Sequence, residues 1–171
     1  MAHRKTRFSG LVALGLIMAF SAPATAEDQS DPVGTVKLFN SAVTARDMDT
    51  AMATLAEGSV QIQLRAVHPG MSDNPPLTGD LTKTWQMVAA IVFPMSEAYS
   101  RTVEITSSTE DGDVATVWAN TTTRTDRKDK SEPMVLQFSE VYLLVKKSGQ
   151  WRIAAVADNR QPDNVPVAPQ T

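Results

Sequence analysis

The order of the hydrophobic patterns along this chain constrains its fold more than any other feature. Apolar residues first recur at helical spacing, as in Val33, Val36, Phe39 and Val43, whereas from residue 97 onward they alternate with polar residues. The strand-like segments are 97–109, 114–124, 133–146 and 150–158. Helices followed by a large antiparallel sheet predict an α+β domain, because neither layer can bury its apolar side alone.

Three helices are expected before the sheet. Asp31 and Pro32 provide an N-cap and a first-turn proline for the first helix, whose pattern breaks near residues 46–47. The second is expected to be short, with Asp49 as its cap and Gly58 as its terminator. The third follows residues 78–80 and is closed by Pro94.

A single strand is expected between the second and third helices. Val60, Ile62, Leu64 and Ala66 alternate there with polar residues, and a loop over 68–79 with three prolines follows. Residues 125–132 (TDRKDKSE) contain no apolar side chain and are expected to form a solvated hairpin tip.

A strongly twisted sheet of this length should curl around the helices. The predicted architecture is three N-terminal helices packed in the concave face of a strongly bent mixed or antiparallel sheet. Such a shape leaves a cavity between the two layers, where a ligand would lie.

The N-terminus has the pattern of a cleavable export signal. Arg4, Lys5 and Arg7 precede an apolar run over 11–20, and residues 24–26 (ATA) form a small-x-small processing site. The run is half of the ~20 residues that a membrane-spanning helix needs. We therefore expect a signal peptide over 1–26, one domain over 27–159, a disordered proline-rich tail over 160–171, and a periplasmic or secreted protein without a stable membrane anchor.

Charge and composition exclude several classes of function. The signal holds three of the 16 basic residues and none of the 19 acidic ones, so the remaining chain has a net charge of −6, which disfavours nucleic acid. The chain has no cysteine, and His68 is the one histidine outside the signal. Zinc and copper sites built on nitrogen and sulfur ligands are therefore not expected, and neither is a glycine-rich phosphate loop. The sequence predicts no metal and no cofactor.

Several segments are similar to one known family, the nuclear transport factor 2-like superfamily, and in particular to its SnoaL-like members. The most similar segments are 111–117 (DGDVATV) and 142–153 (YLLVKKSGQWRI). Three further segments also match: the helix that ends at 45–47, the strand after Gly58, and residues 77–79 with the helix that follows them. The resemblance implies a cystatin-like, cone-shaped domain with a pocket at its wide end, often a homodimer through the outer sheet face. Because the superfamily includes ketosteroid isomerase, scytalone dehydratase, polyketide cyclases and members without a known reaction, fold does not settle function. No catalytic set of those enzymes can be placed on this chain.

Candidate site residues lie on the strands and the helix that would line or back the cavity. They are Trp85, Tyr99, Arg101, Trp118, Asn120, Glu140 and Tyr142. Large aromatic side chains at such positions also serve as core or dimer-interface residues.

Asp158 is a candidate for an acid or base near the end of the last strand. If Trp151 and Ile153 face the core, strict alternation directs Asp158 outward, and only a bulge would turn it in.

Three functional hypotheses follow. The first is a domain that binds a small apolar or amphipathic molecule. The second is a small isomerase, dehydratase or hydrolase that uses a carboxylate and a tyrosine. The third is a protein-interaction domain of the cell envelope that uses the outer sheet face.

Overall fold

The computed structural model describes residues 29–64 and 77–160. Within these ranges three helices are formed: α1 (Pro32–Ala45), α2 (Met48–Ala53) and α3 (Leu81–Met95). The strands are β1 (Leu55–Ile62), β2 (Thr78–Asp80), β3 (Ser96–Asp111), β4 (Val114–Arg127), β5 (Met134–Lys147) and β6 (Gln150–Asp158). The predicted signal peptide, His68 and residues 161–171 of the predicted tail lie outside the described residues.

Helix α1 begins and ends as its sequence predicts. The Asp31 carboxylate accepts a hydrogen bond of 2.7 Å from the Gly34 N–H, and Pro32 occupies the first turn. Arg46 ends the helix in the left-handed conformation, with φ +60°.

The predicted limits of α2 were wrong at both ends. Asp47, rather than Asp49, caps the helix, with its carboxylate accepting from the Thr50 N–H at 3.1 Å. Gly58 does not end the helix; it lies inside β1 with φ +73°. Strand β1 begins at Leu55 because Leu55 pairs with Ile153 of β6, a tertiary contact that overrides the local helical pattern.

Helix α3 begins at its predicted cap. The Asp80 carboxylate accepts from the Lys83 N–H at 2.9 Å. The predicted end at Pro94 is one residue early, since Pro94 lies in the last turn and the helix ends at Met95. Within the predicted loop over 68–79, residues 78 and 79 belong to the short strand β2.

The six strands form one mixed sheet in the order β2-β1-β6-β5-β4-β3. Strands β3 to β6 form an antiparallel meander, whereas β1 runs parallel to β6. The hairpin tip between β4 and β5 is shorter than predicted, because Thr125 still pairs with both Tyr99 and Met134.

The core lies between the helices and the concave face of the sheet. Val36, Phe39 and Val43 of α1 are fully or almost fully buried, as are Tyr142 and Trp151 of the sheet. None of the helices in the described ranges has the length and hydropathy of a membrane-spanning helix. The predicted α+β architecture, with helices packed in the concave face of a bent mixed sheet, is confirmed.

Candidate functional site

A cavity of about 460 Å³ lies between α3, β1 and the inner faces of β3 to β6. Most of its wall is apolar. The apolar lining residues are Phe39, Ile62, Leu64, Trp85, Met87, Val88, Val92, Met134, Leu136 and Val156. The polar lining residues are Gln61, Gln63, Thr84, Tyr99, Arg101, Thr123, Thr125, Glu140, Asp158 and Arg160. The volume is within the range of roughly 300–1,000 Å³ that is typical of small-molecule sites.

A buried ion pair forms one part of the cavity wall. Nη2 of Arg101 donates to Oε2 of Glu140, and both side chains are only 2% exposed. The same carboxylate oxygen accepts from the Thr121 hydroxyl at 2.6 Å and from the Tyr142 hydroxyl at 2.7 Å. Asn40 of α1 accepts from Nε of Arg101 and donates to the Tyr142 hydroxyl oxygen at 3.2 Å. Helix α1 and strands β3, β4 and β5 therefore meet in one polar network.

The network determines the protonation of its members. Burial alone would raise the pKa of Glu140, but the charge of Arg101 and the hydrogen bonds from Thr121 and Tyr142 outweigh burial, and the pKa lies below its ordinary value. Burial and the neighbouring carboxylate both raise the pKa of Tyr142. At neutral pH, Glu140 is ionised and Tyr142 keeps its proton.

Two aromatic rings hold the Arg101 guanidinium from outside this network. Its central carbon lies 5.3 Å from the centre of the Trp85 ring and 5.6 Å from that of Phe138. Cation–π contacts of this kind favour a charged group that is withdrawn from water. Trp85 is itself fixed by an edge-to-face contact with Phe39.

Asp158 reaches the cavity because β6 contains a bulge. Leu143 pairs with Ala155 and Leu144 pairs with Ile153, so Ala154 is an extra residue without a partner in this register. The bulge shifts the alternation by one residue, and Val156 and Asp158 line the cavity. The Asp158 carboxylate contacts Arg160 at 3.3 Å and accepts from the Gln61 amide at 3.5 Å.

The architecture is shared with many solved structures. It is similar to a ketosteroid isomerase-like protein from Erwinia carotovora atroseptica, with 18% identity over 77% of this chain and 95% of that one, and a TM-score of 0.57. It is similar to a conserved protein from Planctomyces limnophilus, with 10% identity, 78% and 95% coverage and a TM-score of 0.62. It is also similar to an NTF2-like protein of unknown function from Shewanella baltica, with 15% identity, 76% and 90% coverage and a TM-score of 0.51. No family model and no curated protein matches the chain.

The chain has the nuclear transport factor 2-like fold. This outcome agrees with the resemblance read from its sequence segments. At these identities the likeness is one of architecture, so the side chains of the cavity have to be interpreted on their own chemistry.

Within the nuclear transport factor 2-like fold, five of the predicted site residues are brought to the cavity. Trp85, Tyr99, Arg101 and Glu140 line it, and so does Asp158. Tyr142 is fully buried behind the wall and acts on the cavity through Glu140. Burial raises the pKa of Tyr99, with the charge of Arg101 opposing that effect.

Two predicted site residues are placed elsewhere and need correction. Val117 and Ala119 are buried on the inner face of β4, so alternation directs Trp118 and Asn120 to the outer face. Trp118 is 48% exposed there, and the Asn120 side chain accepts from the Ser139 hydroxyl. Neither lines the cavity.

Sequence reasoning missed three residues that shape the site. Asn40 had a usable signal, since it is a polar residue next to Phe39 and one turn from Val36 on a helix whose apolar face is buried. Thr121 had no signal in a threonine-rich strand. Arg160 was assigned to the disordered tail, but it lines the cavity and its guanidinium lies 4.3 Å from the centre of the Phe138 ring.

Proposed function

We propose that this chain is an exported domain that binds a small apolar or amphipathic molecule in the cavity. The observation that carries the proposal is the cavity of about 460 Å³, with apolar side chains around a few polar ones. A close-packed interior leaves few voids larger than a water molecule, so a space of this size between the helices and the sheet is where a ligand would bind.

The state of the ionisable groups favours binding over catalysis. Glu140 and Arg101 neutralise each other, and Thr121 and Tyr142 add two further donors to the carboxylate. A carboxyl group whose pKa is lowered carries no proton to donate at neutral pH, and it is a weak base. The network therefore acts as a fixed polar surface of the cavity.

A pair of leucine substitutions on one strand tests the binding site. Leu136 lines the cavity, whereas Leu143 lies on the outer face of the same strand and is 38% exposed. Leu136→Trp fills the cavity, and Leu143→Trp is the matched control. We expect hydrophobic metabolites that bind the unmodified protein in native mass spectrometry to bind Leu143→Trp equally and Leu136→Trp at least about tenfold more weakly.

The same ligands should raise the melting temperature of the unmodified protein. A ligand at 100 times its Kd stabilises the native state by about 2.7 kcal/mol. Equal binding to both tryptophan variants would show that the ligands bind outside the cavity and would contradict the proposal.

Acid–base catalysis is the second candidate function, and the bulge at Ala154 is the observation that favours it. The bulge places the Asp158 carboxylate in the cavity wall, within hydrogen-bond reach of Gln61. A carboxylate in that position could move a proton on a bound substrate in an isomerisation, dehydration or hydrolysis. Asp158→Asn should then abolish turnover of a substrate while leaving its binding intact; unchanged turnover and binding would remove the idea.

The outer face of the sheet is proposed as the surface for self-association or for an envelope partner. Trp118 and Leu143 are exposed there, together with Val114. Trp118 pairs across the strands with Val141, and Val114 pairs with Val145, which makes the patch continuous. A homodimer through this face is the favoured arrangement, because an exposed apolar patch on a sheet is otherwise a liability.

Export remains a proposal that rests on the N-terminal sequence. We expect the protein isolated from its native envelope to begin at Glu27, after cleavage of residues 1–26. Intact-mass measurement of the isolated protein checks this, and a mass that retains residues 1–26 would contradict it.

A further inference from the structure

We infer that the cavity selects an uncharged ligand whose polar end carries both a hydrogen-bond donor and an acceptor, such as a primary amide or an alcohol. This inference rests on the proposed binding function. It identifies the ligand class from two atoms of the buried ion pair that the protein's own hydrogen bonds leave unused.

The Glu140 carboxylate uses only one of its two oxygens within the protein. The hydrogen bonds from Arg101, Thr121 and Tyr142 all end on Oε2. No side chain or backbone group of the described residues donates to Oε1. That oxygen keeps its full capacity to accept a hydrogen bond.

The Arg101 guanidinium has an unused donor in the same way. Its Nε donates to Asn40, and its Nη2 donates to Glu140 and Tyr142. Nη1 makes no hydrogen bond of standard length within the described residues, although the guanidinium also interacts with the Tyr99 hydroxyl group. An arginine presents its donors in a fixed planar fork, so the direction of the free N–H groups is set by the bonds on the other side.

Both unused atoms are reachable from the cavity. In residues 29–64 and 77–160, the fully enclosed polar side-chain atoms without a hydrogen bond are Ser59 Oγ, Asp126 Oδ1, which is ion-paired with Arg124, and Arg160 Nε. Glu140 Oε1 and Arg101 Nη1 do not belong to that set, which indicates that each keeps a small accessible area. Both residues form part of the cavity wall, so that area faces the cavity.

The charges of the wall cancel in pairs. Of the residues described, the charged ones in the wall are Arg101 with Glu140 and Arg160 with Asp158. A charged group placed against the Arg101–Glu140 pair would have to leave water without gaining an unpaired counter-charge, which is costly. An uncharged ligand avoids that cost.

The donor and the acceptor are held in place before any ligand arrives. Trp85 and Phe138 lie within 6 Å of the guanidinium, and Asn40 is fixed by its own bond to the Val36 carbonyl at 2.8 Å. Preorganised polar groups discriminate strongly, because a ligand that lacks a matching group leaves them unpaired. A ligand end that accepts from Nη1 and donates to Oε1 satisfies both atoms.

Four probes with the same octyl-length chain test the inference by isothermal titration calorimetry on the protein lacking residues 1–26. Octanamide both donates and accepts; methyl octanoate accepts only; octanoate and octylammonium are charged. We expect octanamide to bind at least about fivefold more tightly than methyl octanoate, although the ester is the more hydrophobic molecule. We expect both ions to bind at least about tenfold more weakly than octanamide.

The outcomes separate this inference from the proposed function. If methyl octanoate binds as tightly as octanamide or more tightly, the cavity binds ligands but the inferred selection is wrong. If either ion binds more tightly than octanamide, the neutrality of the site is wrong. If none of the four probes binds or raises the melting temperature, the result contradicts the proposed binding function and therefore also the inference.

One substitution distinguishes an ion pair that selects the ligand from an ion pair that only stabilises the fold. Glu140→Gln removes the negative charge while keeping the shape of the side chain, so the unpaired charge of Arg101 should favour an anion. The affinity for octanoate is expected to rise at least about tenfold over that of the unmodified protein, while octylammonium becomes still weaker. An unchanged order of the four probes in a folded Glu140→Gln protein would overturn the inference; the comparison on the unmodified protein decides it if the variant does not fold.

Discussion

Replacing Arg101 by methionine removes one half of the buried ion pair and keeps a side chain of comparable length. Both partners are 2% exposed, so the Glu140 carboxylate would remain enclosed without its counter-charge. Breaking a buried pair from one side costs about 3–5 kcal/mol. That is a large share of the roughly 5–15 kcal/mol by which native domains are stable.

Urea and thermal unfolding of Arg101→Met measure this cost. For a chain of this size, the melting temperature should fall by about 6–20 °C. Arg124→Met is the matched control, because Arg124 pairs with Asp126 at 3.0 Å on the surface, with side chains that are 51% and 33% exposed. Losing such a surface pair costs less than about 1 kcal/mol.

The pH dependence of the same variant shows whether the carboxylate causes the loss. In the unmodified protein the pKa of Glu140 lies below its ordinary value of 4.5, despite burial, because Arg101 and two hydroxyl groups stabilise the charge. A carboxyl group with a lowered pKa stabilises the folded protein at pH values above its ordinary pKa. That stabilisation is lost as the pH falls through the pKa of the folded state. In Arg101→Met, burial without the cation should raise the pKa of Glu140. A carboxyl group with a raised pKa destabilises the folded protein as the pH rises through that pKa.

The stability difference between the two proteins should therefore be largest near neutral pH and become smaller below about pH 4.5. Two results would refute the reasoning. One is a loss in Arg101→Met no larger than that in Arg124→Met, and the other is a difference that does not change with pH.

Three further predictions concern the backbone, the network and the outer face. Gly58→Ala should destabilise by about 1–2 kcal/mol because of φ +73° alone, since nothing lies within 4 Å of the added carbon. Gly79→Ala, where φ is not positive and the added carbon would lie 3.3 Å from the end of the flexible Gln63 side chain, should cost less in the same unfolding assay. Tyr142→Phe removes a donor to Glu140 and should cost about 1–3 kcal/mol; an unchanged urea midpoint would contradict the network. Trp118→Arg should convert the proposed dimer to a monomer in sedimentation velocity with little change in unfolding temperature, and an unchanged sedimentation coefficient would exclude the outer face as the interface.

Local patterns in the sequence determined the elements whose stability is local. Asp31 and Asp80 cap helices at the predicted positions because an N-cap needs only a short carboxylate and the N–H groups of the next turn. The four long strands lie near their predicted limits because alternation and turn residues act within a few positions of each other. The α+β class followed from that order of elements, whereas the resemblance to the nuclear transport factor 2-like superfamily rested on segments such as 111–117 and 142–153.

Only the tertiary structure decided which side chains meet. The start of β1 depends on a parallel pairing with β6, about a hundred residues later in the chain. The bulge at Ala154 directs Asp158 toward the cavity, whereas Trp118 lies on the outer face of β4 and points away from the cavity. Asn40, Arg101 and Glu140 come from three separate elements, and their burial together is stable only because the charges and hydrogen bonds are complementary in space. Hydrophobic periodicity reports which face of an element is buried, but not which residues of other elements lie opposite it.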